Sequence, residues 1–218
     1  MEAEKNHHHS FIVRAFTAFI EWGNEWLTLS HWLVKGGEYV FAKIEGMMIA
    51  ITLFCISLPF WVHRVPPEIR FLFYAFFVQR ILEFVIVYSR NFILRRGRIY
   101  SQFQSDQHRG AWLILMFSMS VLQIVLVFAA WFRLIYVSDP DSFSKPMDGL
   151  NSIYYSTVTF LTIGYGDNIA LKPYPKILML FHGALTFFTL VVVVNGLTST
   201  HFGGHRGSDI SEEPKQAK

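Results

Sequence analysis

The sequence predicts an all-α membrane protein with four transmembrane helices, a short helix between the third and the fourth, and an amphipathic helix at the N-terminus. Composition is the first reason. Of 218 residues 52% are hydrophobic and only 16% charged, against about 25% charged in a soluble domain. Apolar runs are the second. They cover roughly 44–62, 69–89, 111–137 and 177–197, each near or above the ~20 residues needed to cross a bilayer. The third is helical periodicity ahead of the first run. The net charge of +3 needs no nucleic-acid partner. No nucleophile–base or metal-ligand spacing stands out, so an enzyme, a metal centre and a bound cofactor are not expected. Cys55, the single cysteine, lies inside the first run and reads as a buried thiol.

Between residues 10 and 35 the polar positions Ser10, Arg14, Thr17, Glu21, Asn24, Glu25, Thr28, His31 and Lys35 recur every three or four residues. Ile12, Phe16, Phe19, Ile20, Trp26, Leu27, Leu33 and Val34 share the other face. That period predicts an amphipathic helix of about seven turns. Trp22, Trp26 and Trp32 suit the headgroup layer of a bilayer. The interfacial reading is preferred to a further span, because each charge at mid-bilayer costs about 2.5–3.5 kcal/mol on insertion scales. Gly36 and Gly37 then break the helix.

The first two runs are joined by His63, Arg64, Val65, Pro66 and Pro67, where the prolines stop helix continuation. They read as an antiparallel hairpin. Inside the second run stand Gln79, Arg80 and Glu83. Ionisable groups at membrane depth are candidates for function. Arg80 and Glu83, one turn apart, are candidate gating or structural charges and read chiefly as a structural pair, shared with Lys43 or Glu45 of the first run. A voltage-sensing row of arginines is absent.

Arg90, Arg95, Arg96, Arg98 and Arg109 make the next linker basic. By the positive-inside tendency it is cytoplasmic, which puts both termini in the cytoplasm and residues 138–176 outside. On the third run Trp131 and Tyr136 are expected to anchor the outer end, with Arg133 reaching toward the interface. Asp148 is a candidate N-cap for a short helix running to Leu161.

After that helix comes Thr162-Ile163-Gly164-Tyr165-Gly166-Asp167. This string resembles the selectivity filter of the potassium channel pore-loop family, whose usual form is T-x-G-Y-G-D. Potassium leaves water only where about eight oxygens replace its hydration shell, and four backbone strands in a ring supply them. Successive carbonyls point the same way only if backbone handedness alternates, which glycines at 164 and 166 permit. The resemblance covers about 111–200 and implies an outer helix, a re-entrant pore helix, the filter and an inner helix, completed as a homotetrameric pore in a lipid bilayer of the cell membrane. It assigns ion contact to Thr162, Ile163, Gly164, Tyr165 and Gly166, potassium being the permeant ion at the first four. Filter support falls to Tyr154, Tyr155, Val158 and Asp167, and an inner-helix bend to Gly183.

Two positions depart from the family pattern. Val158 stands where some members have glutamate, and Leu161 where threonine usually precedes the filter threonine. The resulting organisation is 1–37 N-terminal segment, 38–90 hairpin, 91–110 basic linker, 111–200 pore module and 201–218 disordered tail. Regulation through a dedicated domain then needs a separate subunit. The expected function is a potassium-selective channel. A poorly selective cation channel and a non-conducting regulatory membrane subunit built on the same fold are the alternatives. His31, His108, His201 and His205 read as solvated histidines rather than pH sensors.

Overall fold

The computed structural model describes residues 11–26, 40–90 and 109–203. Among them every regular element is helical: α1 Phe11–Trp26, α2 Val40–Trp61, α3 Arg70–Tyr88, α4 Arg109–Ser138, α5 Gly149–Phe160 and α6 Pro173–Gly203. Short 3₁₀ turns at Val62–Arg64, Pro67–Ile69 and Pro140–Ser142 link them. Four stretches among the described residues are long and apolar enough to cross a membrane: Lys43–Arg64, Pro67–Tyr88, Ile114–Ser138 and Pro173–Val194.

The expected helix over 10–35 is described as α1, and positions 27–39 lie outside the described residues. Ile20 of α1 is buried while Phe16, Phe19 and Trp22 are exposed. Glu21 pairs with Arg90 at 3.4 Å, tying α1 to the end of α3. The other residues of the basic linker, apart from Arg109 in α4, and the tail beyond 203 also lie outside the described residues.

The hub is α4. Its apolar window is 56% buried, against 22% for that of α6. One side of α4 presents Leu126, Val127, Ala130 and Leu134 to Cys55, Leu58 and Phe77 of the α2–α3 hairpin. The other presents Phe128 and Phe132 to Tyr155, Leu178 and Leu185 of α5 and α6. Positions spaced by about four share a helix face, so a helix apolar all round serves two cores.

α2 ends at Trp61, at the expected end of the first run, with Pro59 inside it. Elsewhere local chemistry departs from expectation. By sequence alone Pro173 and Pro175 restrict an outer loop over 168–175; in the structure they open α6. A helix's first turn leaves its N–H groups unpaired, so proline loses little there. Trp131 and Arg133 turn inward rather than toward the interface. Trp131 packs on Tyr74, Phe77 and Phe128, and Arg133 Nη1 donates to the Met147 carbonyl at 2.8 Å.

The buried charges of α3 form a network across three helices. Arg80 Nη1 donates to Glu83 Oε2 at 2.6 Å, with both side chains buried. Gln79 donates to the same carboxylate oxygen at 2.8 Å. Arg80 Nη2 donates to Gln123 Oε1 on α4 at 2.6 Å, and Gln123 Nε2 donates to Thr52 Oγ1 on α2 at 2.7 Å. The pair is therefore shared with the third span through Gln123. Glu45, expected to join it, accepts from Trp112 Nε1 at 2.6 Å.

Neutralising one partner strands the other charge in a low-dielectric site. Glu83→Gln is expected to lower stability by about 3–5 kcal/mol, and Arg80→Met combined with Glu83→Leu to recover much of that loss. Unfolding in mixed micelles measures both. An unchanged midpoint for Glu83→Gln would mean that the pair does not hold the hairpin to α4.

Candidate functional site

The site is built from the C-terminal end of α5 and the string that follows it. Asp148 caps α5 as the spacing predicts, its Oδ1 accepting from the Asn151 N–H at 2.7 Å. Ser156, buried, donates to the Val125 carbonyl of α4 at 2.7 Å. At its first turn α5 touches the hairpin. A Cβ on Gly149 would lie 2.8 Å from Phe60 Cδ1 and 3.1 Å from the Pro59 oxygen, so only glycine allows this approach.

Three N–H groups of the outgoing chain satisfy the last carbonyls of α5. Leu161 donates to Thr157 at 2.9 Å, Thr162 to Thr159 at 3.1 Å and Ile163 to Val158 at 3.0 Å. The backbone then alternates in handedness. Positive φ occurs at Thr162 (56°), Gly164 (55°) and Gly166 (71°), and these are the positive-φ positions among the described residues. The glycines were expected there. Thr162 was not, because a β-branched residue in the left-handed region is strained. Its Oγ1 donates to the Leu161 carbonyl at 2.7 Å, leaving its lone pairs free to accept.

From Leu161 to Asp167 every residue is exposed in the single chain. From Gly164 to Asp167 no backbone hydrogen bond reaches the rest of the described chain. A row of bare carbonyls results, held from one side only. Behind it lies a cavity of about 310 Å³ lined by Tyr154, Tyr155, Val158, Tyr165, Asp167 and Met179, among others.

The tyrosines divide their work. Tyr154 lies parallel to Tyr165, with centroids 6.5 Å apart and planes 3° apart, and its hydroxyl interacts with the Asp167 carboxylate. Tyr155 instead turns into the core edge-on to Phe132 and Phe143, its hydroxyl donating to Met179 Sδ at 2.8 Å. Val158 contributes its carbonyl and an apolar wall. Leu161 is 56% exposed, so its side chain does not fill the space behind the string in this chain. α6 runs as one helix through Gly183, where a Cβ would meet nothing within 4 Å. Arg80 and Glu83 lie in the hairpin network, away from the string.

Sequence reasoning passed over several residues that brace this region. Asn168 Oδ1 accepts from Ser144 Oγ at 3.0 Å and from the Lys145 N–H at 3.1 Å. Phe143 and Ala170 form an antiparallel bridge. His182 of α6 is fully buried and stacked on Phe128, centroids 4.1 Å apart and planes within 4°. None of these has a motif, and each depends on a neighbour distant in sequence. Sequence alone offers Asp139, Asp141, Asp148 and Asp167 as a negative outer mouth, diluted by Lys145 and Lys172; in the structure Asp148 serves as a cap and Asp139 is engaged by Lys172 and Tyr174. Asp141 and Asp167 are left exposed.

Residues 120–201 match a family described as ion channel. Comparison with curated proteins and with solved structures found no match.

The Lys172 ammonium, then the Tyr174 hydroxyl, hold the Asp139 carboxyl below its ordinary value of 3.8, and Asp139 in turn holds Lys172 above 10.5. The clamp's contribution is therefore complete above the ordinary carboxylate value and lost as pH falls through the lowered one. On the alkaline side it is lost as pH rises through the raised lysine value. Asp139→Asn is expected to speed amide exchange at 141–144 at neutral pH and to remove the acid-side step. Exchange indistinguishable from the parent at neutral pH, with the acid-side step retained, would rule the clamp out.

Proposed function

From the match of residues 120–201 to a family described as ion channel, we propose that the chain is one subunit of a potassium-selective channel in which four copies surround a common axis. The observation that carries this reading is the string itself. Left-handed backbone at 162, 164 and 166 turns successive carbonyls to one side, and the string is bare in the single chain. Irregular backbone at membrane depth persists only where protein covers it or water lines it. Three further copies supply both conditions: neighbours cover the exposed Tyr165 ring, and a hydrated ion path faces the carbonyls.

In this assembly α5 is the pore helix. Its carbonyl end points toward the ion path, where its dipole favours a cation. Carbonyls of Thr162, Ile163, Gly164 and Tyr165, followed by Gly166, replace the water around dehydrated potassium, and the Thr162 hydroxyl adds an inner ring. Tyr154, Tyr155, Val158 and Asp167 support the string from behind. α6 lines the inner path, with Gly183 a candidate bend. The hairpin of α2 and α3 stands outside the ring, and the Arg80–Glu83 pair joins it to α4 as a structural element. α1 lies along the membrane surface with Phe16, Phe19 and Trp22 in the headgroup layer. The basic linker faces the cytoplasm of a cell membrane, as do both termini. The reading involves no catalysis, cofactor or nucleic acid.

Purified protein in a planar bilayer is expected to give a reversal potential that follows the potassium gradient. A value midway between the sodium and potassium potentials favours the poorly selective alternative. Native mass measurement should find a tetramer, and a stable monomer or dimer would sink the reading. Gly164→Ala forces a side chain into left-handed backbone, a strain of about 1–2 kcal/mol per subunit. It is expected to abolish or scramble conduction while leaving insertion intact.

A further inference from the structure

The hairpin contributes nothing to the string, yet its outer turn is joined to the start of α5 through one guanidinium. Arg133 on α4 donates from Nη1 to the Met147 carbonyl at 2.8 Å. Its Nη2 lies 3.1 Å from Nδ1 of His63, in the turn that ends α2. Met147 precedes the cap residue Asp148, so Arg133 anchors the backbone at which α5 begins. The neighbouring approach of Phe60 to Gly149 leaves no slack between hairpin and helix at this point.

A guanidinium carries donors only. Nδ1 of His63 must therefore present its lone pair, which makes the ring neutral with its proton on Nε2. The charged groups that act on His63 are both cationic, Arg133 from α4 and Arg64 from its own turn. Asp148 at the start of α5 acts on Arg133. The Phe60 carbonyl also faces the His63 ring.

We propose that His63 and Arg133 form an acid-sensitive latch between the hairpin and the start of α5. With His63 neutral, Arg133 is shared between the hairpin turn and Met147, and α5 is held at its first turn. Protonating His63 turns the acceptor into a donor and sets two cations face to face. The contact breaks, Arg133 shifts, and the Met147 anchor loosens. Both are positioning residues, acting on the string through α5. The effect on current rests on the channel reading; the effect on α5 does not.

The full chain in lipid nanodiscs is followed by amide exchange at pH 7.5 and 4.5, corrected for intrinsic rates, and in bilayers by potassium current over the same range. In the parent, acid is expected to reduce protection at 147–152 and to lower current by about threefold or more, because a protonated ring cannot accept from Arg133. His63→Gln keeps an acceptor for Arg133 and cannot titrate, so protection and current should be flat. His63→Lys should resemble the acid state already at pH 7.5. Equal protection at the two pH values in the parent would overturn the latch, as would an acid response kept in His63→Gln. An acid response of 147–152 confined to the parent, with no potassium current at any pH, would support the latch and remove the conduction reading.

Discussion

Backbone carbonyls at membrane depth need partners, and hydrocarbon offers none. Helices satisfy this internally. The stretch from Gly164 to Asp167 does not, and the surrounding architecture is a means of holding it in place. α5 ends by giving three of its last four carbonyls to N–H groups of the outgoing chain, which sets the direction of the string. α5 is itself fixed along its length: capped by Asp148, bonded to α4 through Ser156 and packed through Tyr155 against Phe132. Beyond the string, Asn168 and the Phe143–Ala170 bridge return the chain to the loop before α5. The string is pinned at both ends and bare between, the arrangement that the proposed row of ion-facing carbonyls requires.

The two sides of α4 explain how the hairpin fits. A helix that is apolar all round is usually surrounded by protein or lipid. Here α2 and α3 cover one side while α5 and α6 cover the other. The Arg80–Glu83–Gln123–Thr52 network lies within the hairpin interface and links α2, α3 and α4 at one level. Polar groups buried in an apolar interface satisfy one another in few alignments, so such a network fixes how far one helix slides along another.

What was legible in the sequence follows from how local its cause is. Spans were readable because length and apolarity suffice, and the Asp148 cap because its partner Asn151 is three residues away. Glycine at 164 and 166 announced left-handed backbone. Thr162 at φ 56° did not, because a threonine's own preference points the other way and the surrounding chain overrides it. Arg80 and Glu83 could be paired on one helix turn, but Gln123 lies 43 positions away from Arg80. Arg133 was misplaced for the same reason. Taken alone, an arginine near a span's end belongs at the interface, and only the folded chain brings the Met147 carbonyl to it. Pro173 and Pro175 were misplaced because proline signals both a loop and a helix's first turn.

The contact at Gly149 bears on how the protein is made. A ring edge of Phe60 and the Pro59 carbonyl occupy the room that any side chain at 149 would need, so the two surfaces have to meet in one alignment. During synthesis α2 and α3 leave the ribosome before α5 exists. The hairpin can thus be inserted and closed while the later segments are still being added. α5 then arrives at a finished surface. On that view the N-terminal half acts on its own chain as a template, setting the angle at which α5 docks.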